Sequence, residues 1–106
     1  MRATAGDAEV AFRDNRERSR FEAIVGRKVI AFADYRALRG RVAVVHTNVS
    51  QAASGRGIGR RLVQWMLDDI RARGLKVTPI CPFTAAFIER HQEYADLVSW
   101  GRERLP

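Results

Sequence analysis

The chain has 106 residues, of which 46% are hydrophobic and 29% are charged. This length suits one domain with one core, and this hydrophobic fraction excludes an intrinsically disordered chain. The 19 Lys and Arg residues outnumber the 12 Asp and Glu residues and give a formal charge of +7, so an anionic partner is expected. The positive residues are spread from Arg2 to Arg104, which indicates that most of them are ordinary solvated surface.

The sequence has neither the apolar segment of a secretory signal nor a run of about 18 apolar residues long enough to span a bilayer. We therefore expect a cytoplasmic protein with no membrane partner. The single cysteine, Cys81, excludes an internal disulfide. The two histidines, His46 and His91, are too far apart for a zinc motif, so no metal site is predicted.

The first half of the chain has the pattern of β-strands, with β-branched and aromatic residues between turn residues. Strands are predicted over 9–13, 20–25, 28–38 and 41–49. The turn chemistry of 14–17 favours a hairpin between the first two strands. We expect three or four antiparallel strands in this half.

From residue 58 the hydrophobic period becomes that of a helix, with apolar residues every four positions at Ile58, Leu62, Met66 and Ile70. This helix is expected to end before Gly74, which suits a left-handed C-cap. A strand is predicted over 76–81 and a second amphipathic helix over 84–97. Strand 41–49, the first helix and strand 76–81 form a βαβ unit with parallel strands. The predicted fold is α/β (α+β), a mixed and mostly antiparallel sheet.

Three alternating glycines, Gly55, Gly57 and Gly59, stand at the start of the first helix. Such a turn can direct several backbone N–H groups at one point, where the helix dipole favours a phosphate. Arg56 and Arg60 oppose that dipole unless an anion is bound. The alternative interpretation is a loop whose arginines face water. The spacing does not match a dinucleotide-binding GxGxxG motif, and the chain contains no Walker loop.

Two parts of the sequence resemble the GNAT superfamily of N-acetyltransferases. Residues 45–49 followed by 55–62 are similar to its coenzyme A motif, and residues 79–83 followed by 87–98 are similar to its minimal, single-domain N-acetyltransferase-like branch. The resemblance covers roughly 21–98 and implies a single N-acetyltransferase-like domain over 1–106 that binds acetyl-CoA.

The resemblance places the pyrophosphate of coenzyme A on the glycine turn and the pantetheine along the strand before it. The implied cofactor-binding residues are Thr47, Asn48, Val49, Gly55, Arg56, Gly57, Ile58, Gly59 and Arg60. The thioester would lie between the two parallel strands, which a strand proline, Pro79, helps to separate because it lacks a backbone donor. Pro79 alternatively marks an edge or a bulge. The superfamily usually has Arg or Gln at the position of Ser54, and Arg56, Arg60 or Arg61 is expected to replace that charge.

Acetyl transfer to an amine needs a base, donors for the thioester carbonyl and an acid for the departing thiolate. His46, beside the expected thioester, is the candidate base, with a core histidine as the alternative. Cys81 is the candidate nucleophile or acid, with a buried small hydrophobe as the alternative. Other members of the superfamily often use a tyrosine on this helix as the general acid, and the resemblance places Phe87 at the comparable position here. Tyr94 is the remaining candidate, although its pattern favours packing.

The expected function is transfer of an acetyl group from acetyl-CoA to an unidentified amine of a protein or small molecule, by a monomer or weak dimer. Two alternatives remain open. One is an acyl-CoA-binding protein with little or no catalysis. The other is a basic nucleic-acid-binding module, although the sequence has no KH, RRM or helix-turn-helix pattern.

Overall fold

The computed structural model describes residues 9–101 and contains five strands, two α-helices and two 3₁₀ helices. The strands are β1 (Val10–Asn15), β2 (Arg20–Val25), β3 (Lys28–Leu38), β4 (Arg41–Val49) and β5 (Lys76–Pro79). The α-helices are α1 (Ile58–Ala72) and α2 (Pro82–Arg90), and the 3₁₀ helices span Gln51–Ala53 and Gln92–Leu97. The prediction of one domain over 1–106 stays a prediction, since 1–8 and 102–106 lie outside the described residues.

The strands form one sheet in the order β1-β2-β3-β4-β5. The first three pairs are antiparallel, whereas β4 and β5 are parallel and are connected through α1. This arrangement confirms the predicted mixed, mostly antiparallel sheet. The predicted first strand ends too early, because Asp14 and Asn15 pair with Phe21 and Arg20 before the chain turns. Among residues 9–101, no helix is long and apolar enough to cross a membrane.

Helix α1 covers one face of the sheet, which we call the helix face. Its buried side chains are Ile58, Leu62, Val63, Met66, Leu67 and Ile70. They share one core with inward-facing residues of the strands, including Phe21, Ala31, Ala33, Val44 and Val77. Burial of each large side chain contributes about 1.5–3 kcal/mol, so this face holds the fold together. Because side chains alternate along a strand, the intervening residues lie on the opposite side, which we call the second face.

Strand β5 ends at Pro79, two residues before the predicted end. Pro79 has no N–H for the ladder, and the backbone N–H of Ile80 turns back to donate to the carbonyl of Thr78 at 3.0 Å. The chain is thereby released from the sheet, and Cys81 becomes the N-cap residue of α2.

The prediction of one second helix over 84–97 is wrong in extent. Helix α2 begins at Pro82 and ends at Arg90, because His91 leaves the helical conformation with φ −129° and ψ 77°. The side chain of Gln92 donates to the carbonyl of Ile88 at 3.2 Å and to that of Glu89 at 3.0 Å, which satisfies the end of the helix. The break allows residues 98 and 99 to reach the free edge of β5, where a bridge pairs Val77 with Val98.

Candidate active site

Strands β4 and β5 part in the middle of β4. Their pairing runs from Arg41 with Lys76 to Val44 with Pro79. One further hydrogen bond follows, from the N–H of Cys81 to the carbonyl of Val44 at 2.8 Å. Residues 45–49 then continue along β3 alone. We call the gap between 45–49 and the start of α2 the fork. It confirms the predicted separation of the parallel pair.

A β-bulge in β4 lies at the opening of the fork. Val44 pairs with Tyr35 and His46 pairs with Asp34, which leaves Val45 without a partner on β3. The extra residue shifts the alternation of side chains by one position. Thr47 and Val49 therefore take the side that His46 would occupy in a regular strand, while Asn48 is exposed on the other side. The bulge thus decides which side chain of β4 faces the core next to Cys81.

Thr47 and Cys81 meet across the fork. The hydroxyl Oγ1 of Thr47 and the Sγ atom of Cys81 are 3.3 Å apart, a hydrogen bond in which either group can donate. Burial raises the pKa of Cys81, but hydrogen bonds from the hydroxyl of Thr47 and from the backbone N–H groups at the start of α2 together outweigh this effect. The pKa of Cys81 therefore lies below its ordinary value. A thiol with a lowered pKa, at the first turn of a helix, has the chemistry of a nucleophile.

Thr84 adds a second hydroxyl at the start of α2. Its side chain is fully buried. Its hydroxyl and its backbone N–H both contribute to the lowered pKa of Cys81, because they interact with the thiol at the start of α2.

His46 lies on the second face, where its side chain is exposed, and it pairs across the strands with Asp34. The alternative interpretation of His46 as a core histidine is therefore wrong. The structure separates His46 from Cys81, which is buried on the helix face. The two candidate catalytic residues thus approach the fork from opposite sides of the sheet.

The buried carboxylate of the second face is Glu22, two strands away from His46. It accepts hydrogen bonds from Arg20 at 2.6 Å, from Arg13 at 2.7 Å and from Asn15 at 3.1 Å. Both carboxylate oxygens of Glu22 therefore accept hydrogen bonds from side chains of β1 and β2, and the carboxylate stabilises the sheet. It is not available as a base.

The glycine turn has a left-handed backbone at two positions, with φ 84° at Gly55 and φ 74° at Gly57, a conformation that favours glycine. Gly57 is the N-cap residue of α1, no side chain caps the helix, and its first turn contains no acidic residue. The first hydrogen bond within the helix comes from the N–H of Arg61 to the carbonyl of Gly57 at 3.1 Å. Within residues 9–101, the preceding N–H groups are therefore left for an external acceptor.

Gly59 has a packing role that the glycine pattern alone does not reveal. A Cβ atom at this position would lie 3.1 Å from the ring of Phe83 and 3.2 Å from a methyl group of Val49. Glycine lets α1, the end of β4 and the start of α2 approach one another at the fork. Of the predicted cofactor residues, Val49 and Gly59 are thus in direct contact.

The arginines of the turn differ in their surroundings. Arg61 lies over the ring of Phe12 at 5.4 Å from its centroid, which engages it with β1 and argues against it as the replacement for the charge missing at Ser54. Arg56 and Arg60 are exposed, and no ion pair involves either of them among residues 9–101. The guanidinium of Arg60 lies over the turn, 3.4 Å from where a Cβ of Gly57 would be.

Tyr94 is engaged in packing, as its sequence pattern predicts. Its hydroxyl donates to Asp68 of α1 at 2.7 Å. Burial and this carboxylate raise the pKa of Tyr94 to about 12. The ring of Phe87 lies between it and His91, at 6.0 Å and 4.1 Å between centroids. A tyrosine held in this way is a poor proton donor at neutral pH.

Sequence reasoning missed three features of the site: the bulge at Val45, Asp34 opposite His46, and Thr84 beside Cys81. One of them carries a signal, because Pro82 at the first helical position marks the true start of α2. The register set by the tight turn at Arg39-Gly40 would pair Asp34 with Val45, so the pairing of Asp34 with His46 arises only from the bulge. Nothing in the alternation of residues 41–49 indicates an inserted residue.

Comparison with known proteins agrees with this geometry. A family model of the GCN5-related N-acetyl-transferases matches residues 20–97. This chain belongs to the GCN5-related N-acetyltransferase family. No curated protein matches the chain in sequence.

Two solved structures show the same fold. The chain is similar to a GCN5-like protein from Staphylococcus aureus, with 22% identity, a TM-score of 0.66, and coverage of 87% of this chain and 90% of that one. It is also similar to the ribosomal-protein-S18-alanine N-acetyltransferase from Escherichia coli, with 17% identity and a TM-score of 0.56. That match covers 82% of this chain but 54% of the other, so this chain corresponds to about half of that enzyme.

Proposed function

We propose that this protein transfers the acetyl group of acetyl-CoA to the amine of a protein or small molecule. One observation carries the proposal. Strands β4 and β5 separate beyond Val44 and Pro79, directly beside a helix N-terminus that no described side chain caps. An extended ligand with a phosphate at one point and a narrow arm beyond it fits these two features together.

The proposed cofactor site extends from the glycine turn into the fork. Backbone N–H groups of residues 55–60 receive the pyrophosphate, and the exposed guanidinium groups of Arg56 and Arg60 supply the positive charge that Ser54 does not. The pantetheine runs along Thr47, Asn48 and Val49, whose side of β4 toward β5 is unpaired. Backbone groups left unpaired in this way can bond the amides of the pantetheine.

Cys81 is the proposed nucleophile. Its thiolate attacks the thioester carbonyl, the carbon–sulfur bond to coenzyme A breaks, and the electron pair leaves with the coenzyme A thiolate. The acetyl group is then joined to Cys81 by a new thioester, which the acceptor amine attacks in turn. The hydroxyl groups of Thr47 and Thr84, with the N-terminus of α2, stabilise the thiolate in the first and last states.

His46 is the proposed base for the acceptor. Because it is exposed on the second face, an amine that enters from this face can lose its proton to the imidazole before it attacks. Asp34 lies opposite His46 in the strand register, on the same face of the sheet. In this arrangement coenzyme A occupies the helix face and the acceptor the second face.

The main alternative is an acyl-CoA-binding protein with little or no catalysis. Phe87 at the usual place of a tyrosine acid, and the engagement of Tyr94 with Asp68, favour this reading. A mass measurement separates the two. After incubation with acetyl-CoA and no acceptor, we expect the protein to gain one acetyl group on Cys81. Cofactor binding without acetylation of Cys81, and without transfer to any amine tested, would leave only the binding function.

Thermal melting tests binding itself, with acetyl-CoA, desulfo-CoA and a DNA oligonucleotide as ligands. A ligand at about 100 times its dissociation constant adds roughly 2.7 kcal/mol, about 10 °C or more for a domain of this size. We expect both coenzyme A compounds to raise the melting temperature. Stabilisation by DNA alone, decreasing steeply with salt, would instead support a nucleic-acid-binding module and contradict our proposal.

A further inference from the structure

The carboxylate of Asp34 lies on the second face without a protein partner. Within residues 9–101, four carboxylates take part in neither a hydrogen bond nor an ion pair, and they belong to Glu9, Glu17, Asp34 and Glu89. Glu9, Glu17 and Glu89 are exposed, whereas Asp34 is half-buried. A carboxylate that is partly shielded from water gains more from an oppositely charged partner than one at the open surface. Among these four, Asp34 is therefore the one that a cationic ligand would stabilise most.

Asp34 lies between the proposed base and an arginine that is already engaged. His46 of β4 is its partner in the β3–β4 register, and Arg20 of β2 is its partner in the β2–β3 register. Directly opposed residues have Cβ atoms about 4.5–5.5 Å apart, so both side chains lie within reach of Asp34. Arg20 donates to Glu22 at 2.6 Å instead of to Asp34. An ammonium group bound to Asp34 would therefore lie next to the imidazole of His46.

Arg36 supplies a second unpaired charge on the same face of the sheet. It follows Asp34 by two residues on β3, a spacing that places both side chains on one face about 6.6 Å apart. The side chain of Arg36 is exposed, and within residues 9–101 it forms no ion pair with Asp34 or with any other carboxylate. Two unpaired charges of opposite sign thus lie side by side, next to the proposed base.

We infer that the acetyl acceptor is a small zwitterionic amine, an amino acid with a short spacer between its ammonium and carboxylate groups, a conclusion that rests on the proposed function. Asp34 binds the ammonium group beside His46, and the guanidinium of Arg36 binds the carboxylate through charge-assisted hydrogen bonds. A plain amine leaves Arg36 without a partner. A diamine places its second cation near Arg36, in a chain whose formal charge is already +7. Asp34 and Arg36 thereby make the site specific for a zwitterion.

Three acceptors with the same four-carbon skeleton test the inference: 4-aminobutanoate, butylamine and 1,4-diaminobutane. They differ only at the far end of the chain, which is anionic, neutral or cationic. We expect kcat/KM for 4-aminobutanoate to exceed that for butylamine about fivefold or more, as for a partly exposed charge pair. The value for 1,4-diaminobutane should be the lowest, because Arg36 repels its second ammonium group.

Two variants of the second face assign this preference to individual side chains. Arg36→Gln should reduce the ratio of kcat/KM between 4-aminobutanoate and butylamine to about one. Asp34→Asn should raise KM for each amine about fivefold with a smaller change in kcat, because it removes a binding contact and leaves His46 in place. Arg39→Gln, in the exposed turn that follows β3, is the matched control and should keep the wild-type preference. Melting of each variant without ligand establishes that it is folded.

The outcomes separate this inference from the proposed function. Similar kcat/KM values for all three amines, or an equal effect of Arg36→Gln and Arg39→Gln, would overturn the inference and leave acetyl transfer intact. The NMR signals of the two imidazole rings measure binding apart from transfer: with coenzyme A present, 4-aminobutanoate should shift those of His46, and His91 is the internal control. A shift at His46 without transfer to any amine would support the zwitterion site and overturn the proposed function. Absence of both the shift and the transfer would overturn both.

Discussion

Arginines lie at both ends of α1, but their surroundings differ: those at the C-terminal end form ion pairs, and those at the N-terminal end are exposed. At its C-terminal end Arg73 binds Asp14, Arg71 binds Asp96 at 3.0 Å, and Gly74 adopts the left-handed conformation that ends the helix. At its N-terminal end Arg56 and Arg60 are exposed and the helix has no side-chain cap. We call these the closed end and the fork end.

The arginines at the closed end stabilise the fold through ion pairs, whereas we propose that those at the fork end bind a ligand. At the closed end, charges are matched by oppositely charged partners and the cations favour the helix dipole. At the fork end, cations oppose the dipole, and among residues 9–101 no side chain caps the helix. The contacts of the described residues account for the closed end, whereas at the fork end our proposal assigns a bound anion.

The largest expected effect concerns Cys81 at the fork end. Cys81→Ala should lower kcat by about 1,000-fold, because the transfer loses its nucleophile, a loss of roughly 4 kcal/mol in the transition state. Binding of acetyl-CoA should remain, as measured by thermal melting in parallel. Cys81→Ser, nearly the same size, is the control for packing and should be almost as inactive. Retention of most of the activity by both variants would exclude the covalent step.

Gly57→Asp tests the fork end without touching the chemistry. A carboxylate at the N-cap of α1 would occupy the phosphate position, so acetyl-CoA binding should weaken by about 100-fold or more. Gly40 provides a matched control, because its φ is also 74° and nothing lies within 4 Å of its Cβ position. Gly40→Asp carries the same backbone strain, and we expect it to bind acetyl-CoA normally. Similar loss of binding in both variants would point to a general effect of strain.

At the closed end, we expect loss of the Asp14 carboxylate to lower the stability of the protein and to leave cofactor binding unchanged. Burial alone raises the pKa of Asp14, but hydrogen bonds from Arg73 and Tyr35 outweigh it and lower the pKa below 3.8. The carboxylate therefore contributes stability that is fully present above pH about 4 and is lost as pH falls through the folded pKa. Asp14→Asn should cost about 1–3 kcal/mol in urea unfolding at pH 7.

The pH dependence of the Asp14→Asn effect is its sharpest test. The difference from the wild-type protein should begin to shrink below pH about 4, and it should be smallest below the lowered pKa of folded Asp14, where the wild-type carboxyl group is also neutral. Glu17→Gln in the neighbouring exposed turn is the control and should have little effect at any pH. A difference between wild type and Asp14→Asn that stayed constant into acid would show that lost packing, not charge, was responsible.

The same contrast explains how much the sequence could predict. The presence of the five strands, the four-residue repeat of α1 and the left-handed Gly74 are local properties, and the structure confirms each of them. The paired partners of the closed end are not readable from the sequence, because Arg73 and Asp14 meet only when the first strand and the end of α1 are brought together. At the fork end, Gly55 and Gly57 could be found because φ above zero favours glycine.

The side of the sheet on which each catalytic candidate lies could not be predicted. His46 and Thr47 are neighbours in sequence, and the bulge at Val45 alone determines that Thr47 meets Cys81 while His46 is exposed. A bulge depends on how two strands fit together, so a single strand sequence contains little trace of it. The extent of α2 was missed for a similar reason, since residues 98 and 99 leave the helix to pair with β5.

The smallest effects have opposite signs at the two ends of α1. Without ligand, Arg60→Gln removes a cation from the first turn and should raise the stability by roughly 0.3–1 kcal/mol. Arg71→Gln removes a cation from the last turn together with its contacts to Asp96 and to the carbonyl of Glu93, and should lower the melting temperature. With saturating acetyl-CoA the order should change, because Arg60→Gln then also loses its contact with the pyrophosphate while Arg71→Gln is unaffected. Melting curves of both variants with and without acetyl-CoA measure this directly. If Arg60→Gln destabilises the free protein, its guanidinium already has a structural partner, and the fork end would not be waiting for an anion.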